Sequence, residues 1–333
     1  MIYIIIKHRK KPKRISILEA VLQYIPPNHP RRNDVEKDLA IRRAGVYGEQ
    51  SVDYYLKQLN FEKHVIVQDL RLQIAPGIYT QMDNLLFSPR YFFNYDSKHI
   101  AGDIKLDEYQ MTRELDGYVE TFANPIVQVE NQQHHLEQII AKHTKKHLPG
   151  TSFVVFTHPK SIIHIDQQYP LARQKVIRPQ QIRHRSISFM KKNPNNVLDD
   201  RQFNDLLQFL IKNNIPEDPD ILSEYQIPIQ DILTGMYCEN CKRLSIERRN
   251  RSWICSICHN KSKDAHIKAL MAYYLLFGPK ITNRGCRYFL NLSSVSIASK
   301  LLRSLNLKYE GSYRNRTYIL DYEGLEKLLE VRK

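Results

Sequence analysis

Apolar residues recur at spacings of three and four over residues 33–60: Val35, Leu39 and Ile41, then Val52, Tyr55, Leu56 and Leu59. That period predicts a helix. Strand-like runs follow at 64–72 (HVIVQDLRL), 79–87 (YTQMDNLLF), 90–98 (RYFFNYDSK) and 102–109 (GDIKLDEY). A second long helix is expected over 124–143, with a proline near its first turn and Val127, Leu136, Ile139 and Ile140 along its length. TSFVVFTHP (151–159) is continuously apolar at its centre, the mark of a buried strand. SIIHID gives another short strand and DRQFNDLLQFLIKN (200–213) another helix. The order of elements predicts a mixed α/β domain ending near residue 213. Ahead of it, residues 1–12 read as a flexible basic lead and 16–25 as a short helix, stopped by PPNHP because proline cannot continue a helix.

Beyond residue 213 the pattern changes. Residues 214–235 read as a linker, 236–262 as a cysteine module and 263–333 as a helical unit. The last contains helices in DAHIKALMAYYLLFG, TNRGCRYFLNL and SVSIASKLLRSLNL, then an alternating KYEGSYRNRTYILD that predicts a hairpin with a basic tip. The expected division is therefore 1–30 (lead and helix), 31–213, 214–235, 236–262 and 263–333.

Charge sharpens this division. The 333 residues hold 50 Lys and Arg against 35 Asp and Glu, a formal net charge of +15. Residues 236–333 hold 19 basic and 8 acidic residues, 19 − 8 = +11, which leaves +4 for the remainder. A basic C-terminal third points to a polyanionic partner, most often nucleic acid. No apolar run approaches the length that spans a membrane. MIYIIIK has neither a preceding basic segment nor a following cleavage site, so a cytoplasmic location is expected.

The polar residues that interrupt the apolar strands carry the candidate chemistry. Side chains alternate along a strand, so Asp96 and Lys98 share a face, and Asp83 on the preceding strand can approach Asp96 across the sheet. Two nearby carboxylates repel unless a cation intervenes. Mg²⁺ or Mn²⁺ fits that need, because a hard cation takes carboxylate and phosphate oxygens. Lys98 beside it would orient or help deprotonate a water and neutralise phosphate charge. Glu49, on the upstream helix, can point at the same sheet, and Gln128 and Gln132 lie one turn apart on the downstream helix. The set is equipped for phosphodiester hydrolysis. A strand edge carrying charges toward solvent is the alternative.

The segment from about 20 to 145 resembles the NERD (nuclease-related) domain, a branch of the PD-(D/E)XK nuclease superfamily. The resemblance rests on PPNHP, RRAGVYGEQSVDYYL, VQDLRL, QMDNLLFSPRYFF, KHIAG and NPIVQVENQQ, in the family's order. It implies a restriction-endonuclease-like mixed sheet flanked by helices. It also implies that Glu49 is the helix acid, Asp83 and Asp96 the metal acids and Lys98 the catalytic lysine, with Gln81, Gln128 and Gln132 as family glutamines near the substrate. The chain departs from the family in having Asp96 where Glu is commoner, Asn94, Tyr95 and Ser97 where apolar residues are usual, and His99 where Asn is common. The implied function is a metal-dependent nuclease, with DNA favoured over RNA. The competing reading is a nucleic-acid-binding or interaction protein that keeps the fold without cleaving.

Cys238-x2-Cys241 and Cys255-x2-Cys258 have the spacing of a four-cysteine zinc ribbon, with four thiolates closing a structural Zn²⁺ site. Between the pairs lie Arg248, Arg249, Arg251 and Trp253, suited to phosphate contact and stacking, although Trp253 equally suits the ribbon's core. Cys286 reads as a packing residue. The helices at 282–305 and the basic hairpin resemble a winged helix, with Lys300 and Arg303 on the second helix and Arg314 and Arg316 at the wing tip as candidate phosphate contacts. The histidines are dispersed, and none is assigned to catalysis.

Overall fold

The computed structural model describes residues 4–59, 63–250, 252–312 and 315–331. It separates into two compact units, one formed by Met1–Lys10 and Ile41–Glu217, the other by Lys11–Ala40 and Asp218–Lys333. The chain opens with strand β1 (Ile4–Lys7) and helices α1 (Lys13–Tyr24) and α2 (Arg32–Lys57). Helix α2 contributes residues to both units.

The first unit is built on a six-stranded mixed sheet in the order β1-β2-β3-β4-β8-β10. Here β2 is Val65–Ala75, β3 Ile78–Phe87, β4 Phe92–Lys98, β8 Gly150–Phe156 and β10 Val176–Ile177. The central strands β2, β3 and β4 run antiparallel, while β4, β8 and β10 run parallel. Strands β5 (Gly102–Leu106), β6 (Gln110–Leu115), β7 (Tyr118–Ala123) and β9 (Ser161–Ile165) make a second sheet, ordered β7-β6-β5-β9. Helices α3 (Pro125–Thr144), α4 (Pro170–Lys175), α5 (Ile182–Lys192) and α6 (Asp200–Lys212) complete the unit.

Apolar faces explain the layering. Val52, Leu56 and Leu59 pack on one sheet face with Ile66, Leu86, Phe93, Tyr95 and Val155. Leu136 and Ile140 of α3 and Leu206 and Leu210 of α6 cover the other face against Val65, Val67, Leu85 and Phe87. Asn124 caps α3, its side chain accepting from the Ile126 amide at 2.8 Å, and Pro125 occupies the first turn, where its missing amide costs nothing.

The pleat inverts beside the candidate acids. Val65 and Val67 share a cluster with Leu70 and Leu72, and Leu85 and Phe87 share it with Met82, so inward positions change parity on both strands. The pairings Gln68↔Asn84 and Leu70↔Met82 place Asp69 opposite Asp83 at the inversion. Asp69 is left-handed there, φ 51°. Its side chain accepts from Gln81 Nε2 at 2.9 Å, and Lys7 Nζ donates to the Gln68 carbonyl at 2.7 Å and to the Asp69 carbonyl.

The N-terminal residues differ from the expected flexible lead. Ile4–Lys7 forms a parallel strand on β2, with Ile4↔Val65 and Ile5↔Ile66 in register. The β-branched run suits a sheet edge better than a tail. The β6–β7 hairpin was not foreseen either; its turn is Asp116-Gly117, both at positive φ (52° and 79°).

In the second unit α1 packs with the C-terminal elements, and Tyr24 stacks on Phe289 at 4.9 Å. The segment read as a linker contains a short helix α7 (Ile221–Glu224) and buries Ile221, Leu222, Ile227 and Ile232. Strands β11 (Met236–Cys238), β12 (Arg243–Arg249), β13 (Ser252–Cys255) and β14 (Lys261–Ser262) form the antiparallel sheet of the cysteine module. Then come α8 (Ala265–Phe277), β15 (Lys280–Thr282), α9 (Asn283–Phe289), α10 (Val295–Ser304), β16 (Lys308–Glu310), β17 (Thr317–Ile319) and α11 (Tyr322–Val331). The sheet order β15-β17-β16, all antiparallel, with two helices between its first two strands, is a winged-helix-like arrangement. Among the described residues no helix is long and apolar enough to cross a membrane.

Candidate functional site

Antiparallel pairing of Asn84 with Tyr95 sets Asp83 beside Asp96, just past the last paired residues. Lys98, two residues on, returns to Asp96: Lys98 Nζ lies 2.7 Å from Asp96 Oδ2. The other Asp96 oxygen, Oδ1, accepts from Gln128 Nε2 at 3.1 Å and Gln132 Nε2 at 3.3 Å. Gln128 Oε1 in turn accepts from Lys98 Nζ at 3.0 Å. Gln132 also donates to the Gln81 carbonyl at 2.8 Å and accepts from Asn94 Nδ2 at 2.8 Å. Asp83 Oδ2 accepts from the Ser97 amide at 3.0 Å and the Ser97 hydroxyl at 3.3 Å.

Besides Asp96 itself, two of the three residues that stand where the family usually has apolar ones take part in this network. Asn94 holds Gln132 and Ser97 holds Asp83. The third, Tyr95, is buried and hydrogen-bonded to Ser186 at 2.7 Å. Gln81 contributes its backbone carbonyl to Gln132, while its side chain turns to Asp69.

Glu49 reaches the cluster from α2, and Gly48 permits the approach. A Cβ on Gly48 would lie 2.7 Å from His99 Cβ and 2.9 Å from Thr157 Oγ1. Sequence reasoning missed the partner of Glu49. Arg9, its side chain only 7% exposed, donates Nη1 to Glu49 Oε2. Its Nη2 donates to the Asp83 carbonyl at 3.0 Å, to Asn84 Oδ1 at 3.0 Å and to Asp53 Oδ1 at 3.4 Å. The Arg9 amide is fixed by Gln68 Oε1 at 3.0 Å. A second unforeseen contact pairs the rings of His99 and His158 at 4.8 Å, with Tyr47 at 5.0 Å from His99.

The electrostatics follow from crowding. Burial, then Asp96 and Glu49, push the Asp83 carboxyl up to about 8, against the pull of Lys98 and the Ser97 amide. Burial likewise raises Glu49, opposed by Arg9. Burial alone would lower Lys98, but Asp96, Asp83 and Glu49 together raise it, so it is a charged ammonium in this setting. Asp96 Oδ2 is buried with no hydrogen bond of normal geometry, only the ion pair to Lys98. An under-satisfied carboxylate oxygen beside a second, proton-binding carboxylate is a donor set that fits a hard divalent cation. Glu49 does not join it: the four cysteines are the group of three or more potential ligands that converges among the described residues.

Cys238, Cys241, Cys255 and Cys258 have all four sulfurs within 4.8 Å of one another. The Cys238–Cys258 and Cys241–Cys255 separations are 3.8 and 3.7 Å. Ligands at about 2.3 Å from a tetrahedral Zn²⁺ stand about 3.8 Å apart, whereas a disulfide needs about 2 Å. The cluster therefore has the dimensions of a structural zinc site. Both CxxC turns close alike. Lys242 and His259 are left-handed at φ 57°, and their amides bond the Cys238 and Cys255 carbonyls at 2.8 and 3.0 Å. Amides of Ile257 and Cys258 point at Cys255 Sγ, each at 3.4 Å.

The basic candidates nearby are scattered in their commitments. Trp253 is buried and stacks on His266 at 5.4 Å, so it belongs to the module's core. Arg248 lies over its ring at 4.7 Å, and Arg249 pairs with Glu247 at 2.9 Å. Lys300 and Arg303 lie on α10, and both are exposed. Arg316 lies over Tyr309 at 4.2 Å. Arg251 and Arg314 lie outside the described residues. Cys286 is fully buried.

Comparison with known proteins adds one finding. No curated protein and no solved structure matches the chain. The model of the nuclease-related domain matches residues 44–157, a narrower span than the motifs suggested. The match leaves PPNHP outside, in the other compact unit. Residues 44–157, which hold Glu49, Asp83, Asp96 and Lys98, are therefore a NERD domain.

Proposed function

We propose that the protein is a metal-dependent nuclease that hydrolyses phosphodiester bonds at the Asp83–Asp96–Lys98 cluster. The observation that carries this reading is the buried Asp96 oxygen that meets Lys98 Nζ at 2.7 Å beside the second carboxylate, within a nuclease-related domain. Asp83 and Asp96 are the residues suited to hold Mg²⁺ or Mn²⁺. A cation there would supply a Lewis acid for the phosphoryl oxygen and acidify a water.

The chain's own groups do the rest. Gln128 and Gln132 pin Asp96 Oδ1, so its carboxylate presents the other oxygen in one orientation. The Ser97 amide holds Asp83. Lys98, charged and braced by Gln128, positions the attacking water and counters charge gathering on the phosphate.

The basic C-terminal unit is the proposed nucleic-acid holder, with the exposed Lys300 and Arg303 and the ring-stacked Arg248 and Arg316 as phosphate contacts. Winged-helix-like topology favours DNA. The engagement of Glu49 by Arg9 gives weight to a second reading, a domain that binds nucleic acid without cutting it.

The test is incubation of wild type and Lys98→Ala with plasmid and single-stranded DNA, with Mg²⁺ and without added divalent ion. Mg²⁺-dependent cleavage by wild type alone supports the nuclease. Intact DNA in every arm, together with salt-sensitive binding, supports the second reading.

A further inference from the structure

Arg9 is a buried cation whose partners are all oxygens. They are the carboxylates of Glu49 and Asp53, the Asp83 carbonyl and the Asn84 amide oxygen. That is the ligand chemistry a hard divalent ion seeks. Here a guanidinium occupies it. Unlike a lysine, a guanidinium does not shed its charge, and its planar fork satisfies several oxygens at once.

The N-terminal strand delivers it. Parallel pairing of β1 with β2 ends at Lys7↔Val67, the Arg9 amide is then tied to Gln68 Oε1, and Lys7 Nζ holds the Gln68 and Asp69 carbonyls at the pleat inversion. The strand and the Gln68 contact thus fix the Arg9 backbone, and the four oxygens hold its guanidinium. The convergence of acidic ligands is consistent with this. Glu49, Asp83 and Asp96 do not gather into one three-acid group, because Glu49 is turned to Arg9.

We infer that the site takes a single divalent ion, at Asp83 and Asp96, and that Arg9 stands permanently where a second ion would bind to Glu49 and Asp53. This rests on the nuclease reading of the same cluster and specifies its metal count. Arg9 is a positioning residue: it fixes Glu49 and supplies fixed positive charge next to the reacting phosphate.

The test is calorimetric titration of the zinc-loaded full chain with Mn²⁺, beside a cleavage assay. Wild type is expected to bind one Mn²⁺. Arg9→Gln, which removes the charge but keeps a hydrogen-bonding group, is expected to bind two, and adding Glu49→Gln to it to restore one. Arg9→Lys, which keeps the charge, is expected to bind one. Two ions in wild type, or one in Arg9→Gln, would overturn the inference. Should Arg9→Gln not fold, the wild-type count still decides, with two ions refuting it. Failure of the nuclease reading shows separately, as no Mn²⁺ bound and no DNA cut by wild type.

Discussion

Lys98 Nζ sits 2.7 Å from Asp96 Oδ2, on the face of β4 that the alternation of a strand assigns to both residues. The pair is nearly dry: Asp96 is 2% exposed and the Lys98 side chain 21%. Within the proposed reaction, removing the ammonium should leave the acids able to take a cation but unable to steer a water. Lys98→Ala is expected to lower the cleavage rate by about a hundredfold or more. Mn²⁺ affinity should hold or rise, since a competing positive charge is gone. Asp96→Asn should lose both. Single-turnover cleavage and Mn²⁺ titration on the same preparations check this split.

The raised Asp83 carboxyl makes a pH prediction with a definite sign. Its folded-state value of about 8 stands above the unfolded one, about 3.9, so folding favours the protonated form. Its contribution to stability is fully present below the unfolded value and is lost as pH rises through about 8. A cation competes with that proton. Apparent Mn²⁺ affinity should therefore climb by up to about tenfold per pH unit below the folded value and level off above it. Asp83→Asn should flatten the stability trend and abolish binding. Titrations and urea denaturation across that range read both.

Much of this site was legible because it is local. Asp83, Asp96 and Lys98 announce themselves as charges within apolar strands, and Gln128 and Gln132 share a helix face by spacing alone. Arg9 did not, because its partners lie 40 to 75 residues away and a basic run after a short apolar one looks like a tail. The β-branched residues of Ile4–Lys7 were the available signal, and Asp116-Gly117 was the one for the β6–β7 hairpin. Asn94 and Ser97 read as departures from a pattern, and their roles became visible only with Gln132 and Asp83 beside them. The cysteine module was the most legible of all, since two CxxC turns leave few geometries open.

Gly48 is a test of how tightly α2 is seated. Alanine in a helix ordinarily gains about 1 kcal/mol over glycine. Here the added Cβ would meet His99 Cβ at 2.7 Å, and both atoms are close to their backbones, so neither yields cheaply. Overpacking of this kind costs about 1–3 kcal/mol, so the net effect of Gly48→Ala is expected to be loss of stability rather than gain. Urea denaturation gives the sign, and a stabilised variant would show that the helix has room to shift.

The four-sulfur cluster should hold one zinc per chain in freshly purified protein. Cys255→Ser removes a sulfur that also accepts from the amides of Ile257 and Cys258. Its zinc content should fall to near zero, and protection from hydrogen exchange should collapse over β11–β14, because binding energy in such modules is largely folding energy. Metal analysis with exchange mapping checks both. Retained protection after zinc loss would mean that the strands stand without the ion.

Diffraction from a crystal soaked in Mn²⁺, recorded with anomalous signal, examines the central claim most directly. The account predicts one manganese peak between the carboxylates of Asp83 and Asp96, at about 2.0–2.2 Å from the oxygens of an octahedral hard cation, with Lys98 still beside it. No peak there at saturating manganese, or an ion seated elsewhere with Asp96 untouched, would contradict it.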